Sequence, residues 1–179
     1  GFERRYTRDF KNDGNYGLKH GHPELFDVMM AKFNHEIKKY TDNPKFYKDS
    51  TLFIEFARGG EKAFENAFKR LSKDVLNNSA ILYIDVSFAE SWRKNVARYE
   101  AKLKHSILAH MVPRETMDAY YQTNDWHTLT ENKDSGYLEF HKIKIPFVTM
   151  KNEPEITEHK LLEERYSSAL NKLWELYNK

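Results

Sequence analysis

Residues Ser50 to Gly60 read STLFIEFARGG. The β-branched and aromatic residues of Thr51 to Ala57, closed by Arg58-Gly59-Gly60, predict a short strand running into a turn. Glu55 is the anomaly within it. In a strand covered on both faces, an unpaired carboxylate costs on the order of several kcal/mol, and any apolar residue would avoid that cost. The functional reading is a carboxylate that holds a metal-bound water or accepts a proton. The structural readings are an edge strand with Glu55 in solvent, or an ion pair with an arginine such as Arg58. The stretch alone leaves both kinds open.

Two further segments share its character. AILYIDV, residues 80 to 86, and IPFVTM, residues 145 to 150, predict buried strands. Helical patterns separate the three. Pro23 suits a first helical turn, and Phe26, Met29, Met30, Phe33, Ile37 and Tyr40 recur at helical spacing until Asn43-Pro44. Phe64, Ala67, Phe68, Leu71 and Val75 make a second face, ended by Asn77-Asn78-Ser79. Ser87 with Glu90 forms a capping-box pattern, after which Phe88, Trp92, Val96, Tyr99 and Leu103 line one side of a long helix. Val112-Pro113 starts another helix through Tyr121. Thr157 caps a last one, with Leu162, Tyr166, Ala169, Leu170, Leu173 and Tyr177 facing inward.

Strands at 51, 80 and 145 with helices between them predict an α/β domain, a parallel sheet in three layers with helices on both faces. The expected organisation is a single domain over 1–179, with a lid and following helices at 87–122, a loop at 123–136 and a C-terminal helix at 157–178. Such sheets bind ligands at the carboxyl ends of their strands. That rim holds Arg58-Gly59-Gly60, Ser87 and Lys151-Asn152-Glu153.

Composition narrows the function classes. Lys and Arg number 29 against 27 Asp and Glu, so no global field calls for a nucleic acid or an anionic membrane. Twelve Phe, eleven Tyr and three Trp supply a core for 179 residues. With no cysteine there are no disulfides, thiolate nucleophiles or cysteine-ligated metals, which suits a reducing compartment and makes the cytoplasm the expected location. No apolar run reaches the roughly 18 residues that span a bilayer, so a soluble protein is expected.

Local clusters carry the remaining chemistry. Arg4, Arg5 and Arg8, with Tyr6 interleaved, suit a phosphate or carboxylate, or form a solvated arm. In SFAESWRKNVARYEAK, residues 87 to 102, Lys94 and Arg98 share a helical face beside Arg93, while Trp92 and Val96 face the core. An anionic ligand would relieve the repulsion among these cations, and Glu90 and Glu100 are the counterions of the alternative, a solvated face. His20-Gly21-His22 is the tightest histidine group, but no H-E-x-x-H accompanies it, and His105 and His110 would not meet on one helix. Neither G-x-S-x-G, G-x-G-x-x-G nor G-x-x-x-x-G-K-[ST] occurs.

In order, GFERRYTRDF, HGHPELFDVMMAKFNHEI, NPKFY, TLFIEFARGG and AILYIDVSFAESWRKNVARY resemble the P-loop kinases of the uridine kinase and phosphoribulokinase type. The likeness spans roughly residues 1 to 105, and His22-Pro23-Glu24-Leu25-Phe26-Asp27 is its most specific piece. IPFVTMKNEPE resembles the late strand and loop that touch adenine in such kinases. The resemblance implies ATP and magnesium as cofactors and a small-molecule or nucleotide acceptor as partner. Glu55 would help organise magnesium and the transferred phosphoryl group. Arg4, Arg5, Arg8 and Arg58 would flank the acceptor, with Glu3 where the family often has an aspartate base. Arg93 and Arg98, together with Lys94, would serve in the lid, and Asn152 would lie near the base. A non-catalytic nucleotide-binding or regulatory module on the same scaffold is the alternative. Single-strand nucleic-acid binding through Arg4 to Lys11 and Arg93 to Arg98 is disfavoured.

The family's first strand, phosphate loop and first helix have no counterpart in this chain. In that architecture the first strand lies between those expected at 51–57 and 80–86. The expectation is therefore that residues upstream of Gly1 supply these parts, and that the chain alone has a missing or substituted central strand.

Overall fold

The computed structural model describes residues 6–7, 17–18, 24–106, 109 and 111–179. Arg4, Arg5, Arg8, Glu3 and His20-Gly21-His22 lie outside them. Two dipeptides, β1 (Tyr6–Thr7) and β2 (Gly17–Leu18), pair antiparallel, Tyr6 against Leu18. The helix expected after Pro23 is α1 (Glu24–Thr41), followed by a single turn, α2 (Phe46–Asp49).

The helix expected from Phe64 to Val75 is two helices, α3 (Ala63–Arg70) and α4 (Lys73–Asn77). Ser72 makes the break by capping α4, its side chain accepting from the Val75 N–H at 3.3 Å. Asn34 of α1 pins the joint from outside. Its Nδ2 donates to the Arg70 carbonyl at 2.6 Å, and its Oδ1 accepts from the Ser72 N–H at 2.8 Å. One side chain thereby satisfies the end of one helix and the start of the next.

The remaining elements are β3 (Ile81–Asp85), α5 (Phe88–Leu103), α6 (Arg114–Tyr121), α7 (Trp126–Leu129), β4 (Ser135–Phe140), β5 (Ile143–Lys151) and α8 (His159–Tyr177). β5 is central in a three-stranded sheet of order β3-β5-β4. β3 runs parallel to it, from Ile81 beside Phe147 to Asp85 beside Lys151, and β4 runs antiparallel. The fold is mixed α and β, with a small mixed sheet in place of the wholly parallel one expected. The difference lies in 123–136, expected as loop. It holds α7 and the start of β4, whose hairpin to β5 turns on His141 and Lys142 at φ 54° and 68°. Both are left-handed, as a two-residue hairpin turn requires, but neither is the Gly or Asn that usually announces one.

The strand expected at 51–57 is absent. Thr51 to Ala57 has no ladder partner among the described residues. No described strand lies beside it, and strand preference is realised only by packing and pairing against another strand. Phe56 alone is recruited, its ring 6.2 Å from those of Phe33, Phe64 and Phe68. Phe53 is 87% exposed.

Alternation along β5 splits the core in two. Ile145 and Phe147 join Phe64, Phe68, Leu76 and Trp126 on one face, while Val148 and Met150 join Ala169, Leu173 and Leu176 of α8 on the other. Helices thus cover both faces of β5. α8 starts one residue later than expected, with Glu158 at its N-cap and no side-chain cap bond. Its buried face is Ala169, Leu173 and Leu176, whereas Leu170 and Tyr177 are exposed. In α5 the only buried residue is Asn95, not the aromatic stripe. Its amide clasps Val112, donating to the carbonyl at 2.7 Å and accepting from the N–H at 3.2 Å.

Candidate functional site

β3 and β5 are parallel, so their carboxyl ends meet at one rim, where the Asn152 N–H donates to the Asp85 carbonyl at 2.9 Å. α5 begins there. Ser87 caps it, its Oγ accepting from the Glu90 N–H at 3.2 Å, as the capping-box pattern requires. The reciprocal half of the box is replaced. Glu153, next along from β5, takes the Ser87 N–H at 2.7 Å and the Ser87 hydroxyl at 2.8 Å. A carboxylate therefore sits at the positive end of a four-turn helix.

Glu90 is free to serve the cations instead. Arg93 donates to it through Nε and Nη2, both at 2.6 Å, and also bonds Glu155. Lys94 lies 3.8 Å from Glu90 and 3.5 Å from Glu155. The Arg93 hydrogen bond holds the Glu90 carboxyl below its ordinary range, while the two glutamates raise the arginine's. Arg98 stays apart, its Nε on the Lys94 carbonyl at 3.3 Å. Among the described residues the counterions of Arg93 and Lys94 are thus Glu90 and Glu155, and not Glu100. Asn152 faces α8, accepting from Arg165 Nη1 at 3.0 Å, and the same nitrogen reaches the Pro154 carbonyl at 3.2 Å. Residues 152 to 155 therefore clip β5, α5 and α8 together.

A second cluster flanks the end of β3. Asp85 Oδ1 lies 3.4 Å from His127 Nε2, and His127 is half exposed. Tyr83, two residues back on the same face, stacks on Trp126 at 4.4 Å and accepts from Asn124 at 3.2 Å. Burial raises the Tyr83 hydroxyl above its ordinary range. Trp126 anchors this group by donating to Thr149 Oγ1 at 2.9 Å. Asp125 serves α3, its two oxygens accepting from the Phe64 and Glu65 N–H groups at 2.8 and 3.0 Å. A carboxylate and an imidazole at a strand terminus can exchange a proton with a bound ligand.

Arg58 lies inward, its side chain 9% exposed and Nη2 3.7 Å from Asp27 of α1. Gly59 holds its backbone against α6, where an added Cβ would fall 1.7 Å from the Tyr120 carbonyl oxygen. Glu55 points to solvent and forms no ion pair among the described residues, with Arg58 or any other cation. Among the expected site residues, the structure brings Arg93, Lys94 and Asn152 to the rim. Arg58 is in a separate cluster, and Glu55 and Arg98 are in neither. An open cleft of about 550 Å³ lined by Glu65, Lys69, Leu129, Phe140 and His141 lies by the β4–β5 turn, at the opposite end of the sheet.

Asp85, His127 and Arg165 are the rim groups that the sequence patterns do not single out, whereas Glu153 lies on the rim as expected. Asp85 stands next to last in AILYIDV and ends β3, so it has a positional signal, as Glu153 does in IPFVTMKNEPE. His127 and Arg165 arrive from elements more than 35 and 10 residues away in sequence, with no motif around them. Comparison with protein-family models, with curated proteins and with solved structures finds no match to this chain.

Proposed function

We propose that this chain is part of an ATP-dependent phosphotransferase of the P-loop kinase type, transferring the γ-phosphoryl group to a small-molecule or nucleotide acceptor. The supporting observation is a pair of unmatched edges. Among the described residues, 51–57 has strand composition and no strand neighbour, and β3 pairs on one side only. The resembled family sets its first strand between the counterparts of these two segments. On this reading a parallel three-layer sheet is completed by a strand, phosphate loop and helix from outside residues 1–179.

Catalysis would be positioning and charge stabilisation. Arg93 and Arg98 would offset charge on the transferring phosphoryl group, Lys94 and Asn152 would contact the nucleotide, and Arg4, Arg5, Arg8 and Arg58 would hold the acceptor. Arg93 and Lys94 would first exchange Glu90 and Glu155 for phosphate oxygens. Among the described residues no group of three His, Cys, Asp or Glu could hold a metal ion, so these residues do not make a magnesium site by themselves. Glu55 would add one carboxylate to a set drawn from ATP phosphates and the phosphate loop.

The parent reading frame is the first test. A G-x-x-x-x-G-K-[ST] motif within roughly 60 residues before Gly1 is expected, and its absence ends the reading. The second is activity, since residues 1–179 alone should bind Mg-ATP poorly and turn nothing over, and strong turnover would contradict the mechanism.

One observation favours a regulatory module on the same scaffold: Arg93 and Lys94 are already neutralised by carboxylates. With the upstream segment restored, Mg-ATP stabilisation without turnover would support that second reading.

A further inference from the structure

Asp27 is shared between two guanidinium groups. Its Oδ2 accepts from Arg70 Nη2 at 2.6 Å, whereas its Oδ1 lies 3.7 Å from Arg58 Nη2. The good hydrogen bond goes to the more exposed arginine, and Arg58 keeps the longer contact. Arg58 Nη1 is buried with no hydrogen-bond partner among the described residues. The Phe26 ring, 4.9 Å from the guanidinium carbon, offers its face but no acceptor atom. Desolvation holds the Arg58 pKa below its ordinary range, with Asp27 opposing the shift. The group remains charged all the same. A buried cation with an unmet donor and a shared counterion is an arrangement that an added acceptor would stabilise.

We propose that Arg58 anchors an oxyanion site, in which one phosphate or carboxylate oxygen accepts from Nη1 and a second takes over Nη2 from Asp27. The guanidinium fork presents parallel N–H groups at the spacing of two such oxygens. Gly59 fixes the depth of the fork, because its backbone rests directly on Tyr120 and Tyr121. Phe26 and Tyr120, partly buried and edge to face at 5.7 Å, pack beside it. Asp27 is the internal competitor that a ligand displaces. The site stands on this geometry alone. Under the phosphoryl-transfer reading, it is where an anionic acceptor is held.

The test is titration of the folded chain with sodium phosphate, sodium acetate and sodium chloride at matched ionic strength, followed by calorimetry and by the Arg58 side-chain NMR signals. Saturable binding of phosphate or acetate is expected, weakened at least about tenfold in Arg58→Met and strengthened several-fold in Asp27→Asn, which removes the competing charge. Tighter phosphate assigns a phosphorylated ligand, and tighter acetate a carboxylate. If Arg58→Met does not fold, Asp27→Asn decides, since it retains the anchor. No saturable binding, an equal response to chloride, or an affinity unchanged in Asp27→Asn would overturn the site. The kinase reading fails instead on the upstream motif or on Mg-ATP, neither of which depends on Arg58.

Discussion

TLFIEFA at 51–57 and IPFVTM at 145–150 are nearly equal in apolar content, yet one is bare and the other is the centre of the molecule. Every residue from Ile145 to Met150 is buried. Strands flank β5 on both edges, and helices cover it on both faces. Among the described residues the 51–57 stretch has one recruited ring, Phe56, and no ladder. The difference teaches that strand-like composition states what a segment can pair with. Whether it pairs is decided by neighbours far away in sequence.

The sharpest way to break this comparison is a matched pair of substitutions. Phe147→Ala should cost about 3 to 5 kcal/mol in urea unfolding, and Phe53→Ala within about 0.5 kcal/mol. Equal costs would mean that 51–57 is packed after all. Gly59→Ala comes next, at about 1 to 3 kcal/mol, because its Cβ would meet backbone that has to move. A neutral Gly59→Ala would detach Arg58 from α6 and loosen the contrast between the fixed end of the stretch and its bare middle.

At the rim, Glu153→Gln removes the charge at the start of α5 and should lower stability by about 0.5 to 1 kcal/mol, less in high salt. No change would show that the charge of Glu153 contributes nothing at the start of α5. The smallest effect is on acid stability. The Glu90 carboxyl is held below its ordinary range chiefly by Arg93, so the folded state binds that proton less readily than the unfolded chain. Its contribution is present above the unfolded pKa and is lost as pH falls through the depressed folded one. Glu90→Gln should therefore lower the neutral plateau of a thermal-melt series slightly and flatten its acid limb, leaving stability below the depressed pKa nearly unchanged.

Much of this is legible in the sequence. The extents of α1, β3 and α5, the Ser87 cap and the rim formed by Ser87 and Asn152 follow from periodicity and capping chemistry. Two kinds of feature were hidden. β4 was hidden because its hairpin turns on His141-Lys142, left-handed residues without the usual glycine or asparagine. The split between α3 and α4 was hidden because Asn34, in another helix, completes it. The site divides in the same way. Arg93 and Lys94 announced themselves as a basic cluster, but their counterion Glu155 is some 60 residues on, across the sheet. Glu55 looked costly only on the supposition of a covered strand. Exposed as it is, it carries no such cost, and any role for it depends on a neighbour supplied from elsewhere.

Amide hydrogen exchange on residues 1–179 tests the unmatched edges most directly. The account predicts that amides at 52–57 exchange at nearly unprotected rates, while those at 147–151 are among the slowest in the molecule. Comparable protection in the two segments would contradict it, because 51–57 would then already have a strand neighbour and the proposed kinase architecture would have no place left for its first strand.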